Sequence, residues 1–226
     1  TFRIEDLYLS LPVINLDSDL PLVLEFDDLD GDVKDYTYTF VHCDQNWKPT
    51  NIAQLEYLDG FGEDRITDYS YSFKTLKEFT HYQLDLPSRN MRWTKSGNYL
   101  LIIYEDEGYK VPVITRRFVV VDPKVRVDGK LVPPAKVSKT RTHQEIDFEV
   151  DYDKFPIRSP QQEIKATILQ NGRWDNAIVG LAPNFTRLNA IAFDYQDKIV
   201  FPAGKEYRYA DLRSFRLAGP GIGEIE

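Results

Sequence analysis

Four carboxylates fall within six residues at Asp27 to Asp32 (DDLDGD), the oxygen-rich composition that a hard cation such as calcium takes. With Gly31 at the sixth position of an EF-hand loop, Phe26 would stand first and Thr37 twelfth, where acidic ligands are required. That template fails at both ends, and the run serves equally as an acidic, solvated tip between strands. Thiolate and imidazole chemistry has little to work with: there is one cysteine, Cys43, and three histidines, His42, His81 and His143. His42 and Cys43 are sequence neighbours, so on a strand they point to opposite faces and do not grip one metal. One cysteine excludes an internal disulfide and any multi-thiolate site. Nothing beside Cys43 activates it, and it reads as a buried, inert thiol. No metal and no cofactor is expected.

Glycoside hydrolysis uses two carboxylates about 5–10 Å apart, but the 36 acids of this chain include no pair in a recognisable catalytic context. Trp47, Trp93 and Trp174 have the ring type that stacks on sugars and equally the type that packs a core or an edge. No catalytic residue is expected. What stands out instead is the run from Val41 to Phe73, which interleaves aromatics and acids on strand-like segments. Within it Trp47, Tyr57, Leu58, Asp59 and Phe61, with Glu63 and Asp64 at hand, have the composition of a displaceable protein contact: a few aromatic anchors among polar groups. The same rings could fold back to cap the first core. A second candidate is the turn Asn171 to Ile178 (NGRWDNAI). Its Trp174 packs inward or over the turn with Arg173 and Asp175 as braces, or all three, Arg173, Trp174 and Asp175, meet a partner. Arg116 and Arg117 read as surface or interdomain braces.

The elements that must position these residues are strands. The 226 residues are 42% hydrophobic and 13% aromatic, Tyr and Phe greatly outnumber Met, and β-branched residues fill the apolar runs. Tyr36, Tyr38, Phe40 and His42 share one face of a strand, and Tyr69, Tyr71 and Phe73 share a face of another. Strands are expected at Arg3–Leu11, Pro21–Phe26, Asp35–His42, Tyr69–Phe73, His81–Leu86, Asn98–Tyr104 and Val111–Val121. Asp30-Gly31 is expected to turn a hairpin joining Leu22–Phe26 to Tyr36–His42, and the last two strands to close a hairpin tipped by Glu105 to Gly108. The spacing predicts an all-β chain of two consecutive β-sandwich domains of immunoglobulin or fibronectin-III type. The first covers 1–122, with a boundary at Asp122-Pro123; the second covers 123–226. In the second, a small hairpin is expected around Asp128-Gly129, followed by strands at Glu145–Tyr152, Ile164–Gln170, Arg173–Val179, Ala190–Tyr195 and Glu206–Leu217. The tail LAGPGIGEIE suits no strand, so the natural protein is expected to continue. One or two helical turns are expected within Asn51–Tyr57.

Charge narrows the partners. Residues 1–122 carry 22 acids and 12 bases, a net −10, while residues 123–226 carry a net +2. No Lys/Arg cluster offers the basic footprint that nucleic acid needs. No apolar run approaches the roughly 20 residues of a membrane span, and the sequence shows no cationic start followed by an apolar h-region, a pattern that a removed signal peptide would not leave behind.

Nine ordered motifs then carry a resemblance: VHCDQNWKPTN at Val41, EYLDGF at Glu56, DYSYSF at Asp68, THYQLDLP at Thr80, SGNYLLIIY at Ser96, TRRFVVVD at Thr115, THQEIDFEV at Thr142, LQNGRWDNAI at Leu169 and FPAGKEYRYADLRS at Phe201. Together they resemble the type 9 secretion system plug protein family of Bacteroidota, from near the start of the chain to its end. The resemblance implies a periplasmic, non-enzymatic β-sandwich protein that occludes the periplasmic mouth of a giant outer-membrane translocon barrel. It implies the barrel as partner and further residues beyond 226; no small-molecule ligand is expected. Two other classes fit a sandwich as such: a carbohydrate-binding or adhesion module of an envelope glycan system, and a hydrolase.

Overall fold

The structure, a computed structural model, describes residues 1–205 apart from 6, 8, 9 and 107–109. The expected strand Glu206–Leu217 and the Gly- and Pro-rich tail lie outside the described residues, and the expected tip at Glu105–Gly108 lies partly outside them. The chain is all β and divides into two compact units, Thr1–Pro123 and Lys124–Glu226.

The first unit contains β1 (Phe2–Ile4), β2 (Val13–Asn15), β3 (Leu22–Asp28), β4 (Tyr36–Cys43), a single helical turn α1 (Gln54–Tyr57), β5 (Leu58–Gly60), β6 (Glu63–Ile66), β7 (Asp68–Tyr71), β8 (Thr80–Leu86), β9 (Met91–Trp93), β10 (Gly97–Asp106) and β11 (Lys110–Val121). Two sheets, in the orders β1-β3-β8-β7 and β2-β11-β10-β4-β6, face one another, and β5 pairs with β9 apart from them. β2 runs parallel to β11 and the remaining pairs are antiparallel. This is the strand order of an immunoglobulin-type sandwich.

The period-two pattern of β4 explains its place. Tyr36, Tyr38, Phe40 and His42 all point into the core, and Tyr38 and Phe40 are fully buried. Phe118 of β11 is the hub: its ring lies 5.3 Å from Tyr99, 5.4 Å from Trp93, 5.6 Å from Phe40 and 5.9 Å from Phe2. Those neighbours come from β10, β9, β4 and β1, so one ring joins both sheets and the connection between them. Tyr99 also donates its hydroxyl hydrogen to the Lys95 carbonyl (2.8 Å), the corner that sets the start of this strand in such folds.

The second unit contains β12 (Arg126–Val132), β13 (His143–Asp151), a helical turn α2 (Pro160–Glu163), β14 (Ala166–Ile168), β15 (Ile178–Leu181), β16 (Phe185–Arg187), β17 (Ala190–Phe193) and β18 (Val200–Pro202). One sheet has the order β12-β13-β17-β16 with β18 also on β13; the second is the pair β14-β15. Its core, among the described residues, is built on Val150, Leu181, Ile191, Phe193 and Ile199, with Phe148 stacked on Phe193 at 4.4 Å.

Several expectations are corrected. Asp30-Gly31 does not close a hairpin: β3 pairs with β1 and β8, and β4 with β10 and β6, so this turn arches from one sheet to the other. Gly31 keeps its positive φ of 78°, which an arch requires as much as a hairpin does. Asp128-Gly129 lies inside the continuous strand β12, paired with Glu149 and Phe148, because the whole segment gains a partner in β13. Residues 173–177 form a turn, and the strand begins at Ile178. At the N-terminus β1 ends at Ile4, and β2 is an additional short strand.

Replacing the Phe118 ring with Ala removes the contacts that join the two sheets. Urea unfolding of Phe118→Ala is expected to show a loss of about 3–5 kcal/mol; a loss under about 1 kcal/mol would mean that the ring is not the hub.

Candidate functional site

The segment from Thr50 to Phe79 runs along one open side of the first sandwich. β6 is the edge of one sheet and β7 the edge of the other, and Thr67 alone separates them. The two edges therefore lie in sequence on the same side, preceded by the loop 51–62 and followed by the β7–β8 hairpin. Edge strands carry unpaired backbone groups and are usually guarded by charge; here Glu63, Asp64, Arg65 and Asp68 provide it.

The loop is strapped down at several points. Gln54 Nε2 donates to the Gly62 carbonyl (2.9 Å) and to Thr39 Oγ1 (3.2 Å), whose own hydroxyl donates to Gly62 O (2.6 Å). Tyr57 is buried, its hydroxyl donating to the Phe40 carbonyl (3.2 Å) and its ring 5.5 Å from that of His42. Leu58 is buried opposite Trp93, and Asp59 stands across from Arg92 in the same two-stranded pair. Gly60 has φ 97°, and a Cβ there would meet Asn90 O at 2.0 Å, so only glycine passes this point. Phe61, held by its N–H to the same Asn90 carbonyl (2.9 Å), turns its ring outward with 63% of its surface exposed.

Trp47 follows β4 in a tight turn, at φ 62°, where Asp44 Oδ1 accepts the N–H groups of Asn46 (2.8 Å) and Lys48 (3.0 Å). Its ring is half-buried, with the Arg117 guanidinium 5.0 Å from the ring centre; Arg117 is thus a brace within the first unit. The expected candidate residues thus divide. Tyr57 and Leu58 lie in the core and hold the loop, Trp47 lies against Arg117, and Asp59 and Phe61 face solvent. Trp93 is in the core, where no sugar can stack on it.

Residues outside that set add most to the exposed surface. Leu55 precedes Phe61, and Tyr69, Tyr71, Phe73 and Leu76 follow along β7 and its hairpin. Phe73 and Leu76 stand at the tip, 79% and fully exposed, with Lys74 Nζ 5.0 Å from the Phe73 ring centre. The alternation of DYSYSF marks Tyr69, Tyr71 and Phe73 as one face of a strand. That the strand is an edge, leaving the face uncovered, is not written in the local sequence.

In the second unit, Arg173 and Asp175 form an exposed bidentate pair, with Nε to Oδ1 at 3.0 Å and Nη2 to Oδ2 at 2.5 Å. The hydrogen bond from Arg173 holds the Asp175 carboxyl below its usual range. Trp174 beside them is 38% exposed.

Among the described residues, two groups of acids stand close enough for their oxygens to meet one cation. In the first, Asp28, Asp30 and Asp32, Lys34 Nζ already binds Asp30, Asp28 (3.3 Å) and Glu105 (3.6 Å). Burial works against the Asp28 charge, but donors from Asp30 N–H, Tyr36 and Lys34 together hold its carboxyl low. The cation that this loop accommodates is therefore its own lysine. The second group is Glu145, Asp147 and Asp194, in which Asp147 Oδ1 is buried without a hydrogen-bond partner. Burial pushes the Asp147 carboxyl up, and the neighbouring charges of Asp194 and Glu145 add to it. Cys43 is buried, and burial pushes its thiol up as well, which keeps it protonated.

Residues 2–122 match the family model described as type 9 secretion system plug protein 1st domain. No curated protein matches the chain. Among solved structures, the chain is similar to a hypothetical protein from Parabacteroides merdae, with a TM-score of 0.90 and 29% identity over 97% of this chain and 55% of that one. It thus spans about half the length of that relative. No helix among the described residues is long and apolar enough to cross a membrane.

The Asp147 arrangement predicts a pH effect. A carboxyl raised by folding stabilises the fold fully below its unfolded value of about 4 and loses that contribution as pH rises through the folded value. Asp147→Asn is therefore expected to raise Tm at neutral pH, with the gain fading as the pH approaches 4. Thermal melts across that range test it; a gain independent of pH would show that the charge is not the cost.

Proposed function

Since the chain belongs to the type 9 secretion system plug protein family, we propose that it is a non-enzymatic gating subunit that closes the periplasmic end of the outer-membrane translocon by protein–protein contact. The observation that supports this reading is the uncovered apolar tip of the β7–β8 hairpin, Tyr71, Phe73 and Leu76, on the unit that matches the family model. A gate must bind and release. A wide apolar interface would hold the pore shut, whereas a few ring and leucine anchors within a polar rim can be displaced by passing substrate. The hairpin tip has this form, flanked by Lys74, Lys77 and Glu78. Asp59 and Phe61 extend the same side of the sandwich and Tyr57 and Leu58 support it from within, while Trp47 lies against Arg117. Arg173, Trp174 and Asp175 form a separate candidate contact on the second unit. The location this function requires is the periplasm, at the inner face of the outer membrane.

The test is a native pull-down of the tagged full-length protein from gently solubilised envelopes, with partners identified by mass spectrometry. The translocon barrel is expected among them. Exchanging Phe73 and Leu76 together for Ser is expected to weaken its recovery strongly, since each lost anchor costs about 2 kcal/mol, or about thirtyfold in affinity. Both side chains lie outside the core, so folding should be kept, and circular dichroism checks this. Recovery of the barrel undiminished in the variant would move the contact elsewhere. Recovery of glycan-handling proteins instead of the barrel would overturn the gating function.

A further inference from the structure

In the β7–β8 ribbon Tyr71 lies opposite Thr80, and one step on, the Ser72 N–H donates to the Phe79 carbonyl (2.9 Å). Backbone groups of an antiparallel ladder alternate in direction. Asp68, Ser70 and Ser72 therefore turn theirs to β8, and Tyr69, Tyr71 and Phe73 turn theirs away from it. All four residues of β7 are exposed, as is Phe73 beyond it. The side chains alternate as well. Tyr69 stands across from Tyr82, with ring centres 5.9 Å apart, and Tyr71 across from Thr80; both of these β8 residues are fully buried. Tyr69, Tyr71 and Phe73 thus carry the inward row of the sheet past the core, while Asp68, Ser70 and Ser72 share its outer face. Edges are ordinarily guarded by charge, proline, a bulge or shortness. β6 has Glu63, Asp64 and Arg65, and β1 and β2 have three residues each. From Tyr69 to Phe73 there is neither charge nor proline, and Tyr and Phe favour strands.

We propose that this edge pairs with the same edge of a second copy of the chain, β7 antiparallel to β7 about a two-fold axis at Tyr71. The sequence is self-complementary in that register. Tyr71 meets Tyr71, Tyr69 meets Phe73 and Ser70 meets Ser72, so the outward backbone groups bond to one another and all the rings line one face. At each end Asp68 arrives beside Lys74 of the other copy, an acid next to a base. Centring the axis on Ser70 instead sets Asp68 against Ser72 and Phe73 against Thr67, and forgoes both matches. The pair joins the sheet β1-β3-β8-β7 of each copy into one continuous sheet, and a two-fold contact closes after two chains. The interface is short, so the pair dissociates on dilution. It covers Tyr71 and Phe73 and so, on the gating function, competes with the barrel; the pairing itself does not rest on that function.

Sedimentation equilibrium of the purified full-length protein, with no barrel present, is expected to show a mass that rises with concentration about twofold from that of one chain. In amide hydrogen exchange, Tyr69, Tyr71 and Phe73 are expected to exchange at least about tenfold more slowly in the concentrated sample than in the dilute one, while Ser70 and Ser72, already turned to β8, change little. Mixing Ser70→Cys chains with Ser72→Cys chains reads the register. These positions oppose each other without backbone hydrogen bonds, about 4.5 Å apart at Cα, and are expected to form a disulfide between the two variants but not within either alone. Tyr71→Pro removes an outward N–H and no bond to β8, so it is expected to keep the circular dichroism spectrum and to weaken association at least about tenfold. A single-chain mass at every concentration would leave the edge to a strand of another protein and overturn the proposal. So would association beyond two chains, protection that arises elsewhere and not at these three amides, a disulfide of Ser70→Cys with itself, or undiminished association of Tyr71→Pro.

Discussion

The contact on which the first unit depends is the meeting of rings around Phe118. A sandwich of two twisted sheets has to fill a gap of about 10 Å between them, and here aromatic side chains fill it. Phe2, Phe40, Trp93, Tyr99 and Phe118 reach one another from five separate elements. Edge-to-face contacts of this kind add directional preference to burial, so the relative placement of the elements is set as well as their closeness. The loop 51–62 inherits its position from this centre. Tyr57 bonds to β4 and Leu58 faces Trp93, and through them the exposed Phe61 is carried on a rigid base.

That dependence explains which features could be read from the sequence. The alternation of Tyr36, Tyr38, Phe40 and His42 is a local, period-two signal, and the strand it marks is present with those residues inward. The all-β character follows from many such signals and is equally legible. Whether Tyr57 or Phe61 turns inward is not local: Tyr57 finds Phe40 O, 17 residues away, while Gly60 redirects the chain before Phe61. Both residues look alike in the sequence as candidate anchors. Asp30-Gly31 and Asp128-Gly129 make the same point about turns. The dipeptide permits positive φ, but pairing partners distant in sequence decide its use, an arch in one case and continuous strand in the other. Lys34 was present in the sequence four residues after Asp30, yet its service to three acids depends on Glu105 arriving from another strand.

Two groups of apolar side chains in the first unit bear differently on the proposed function. In the first, rings that could have served as contacts are consumed by the core, as Trp93 and Tyr57 show. Among the side chains left outside, Phe61, Tyr69, Tyr71, Phe73 and Leu76 lie along the open side of the sandwich and at the hairpin tip. These residues contribute little to holding the sandwich together, so they can meet and leave a partner without disturbing the fold that presents them. A rigid core with sparse apolar groups on its open side suits the proposed gate, which needs a fixed shape while it is bound and a contact weak enough to break.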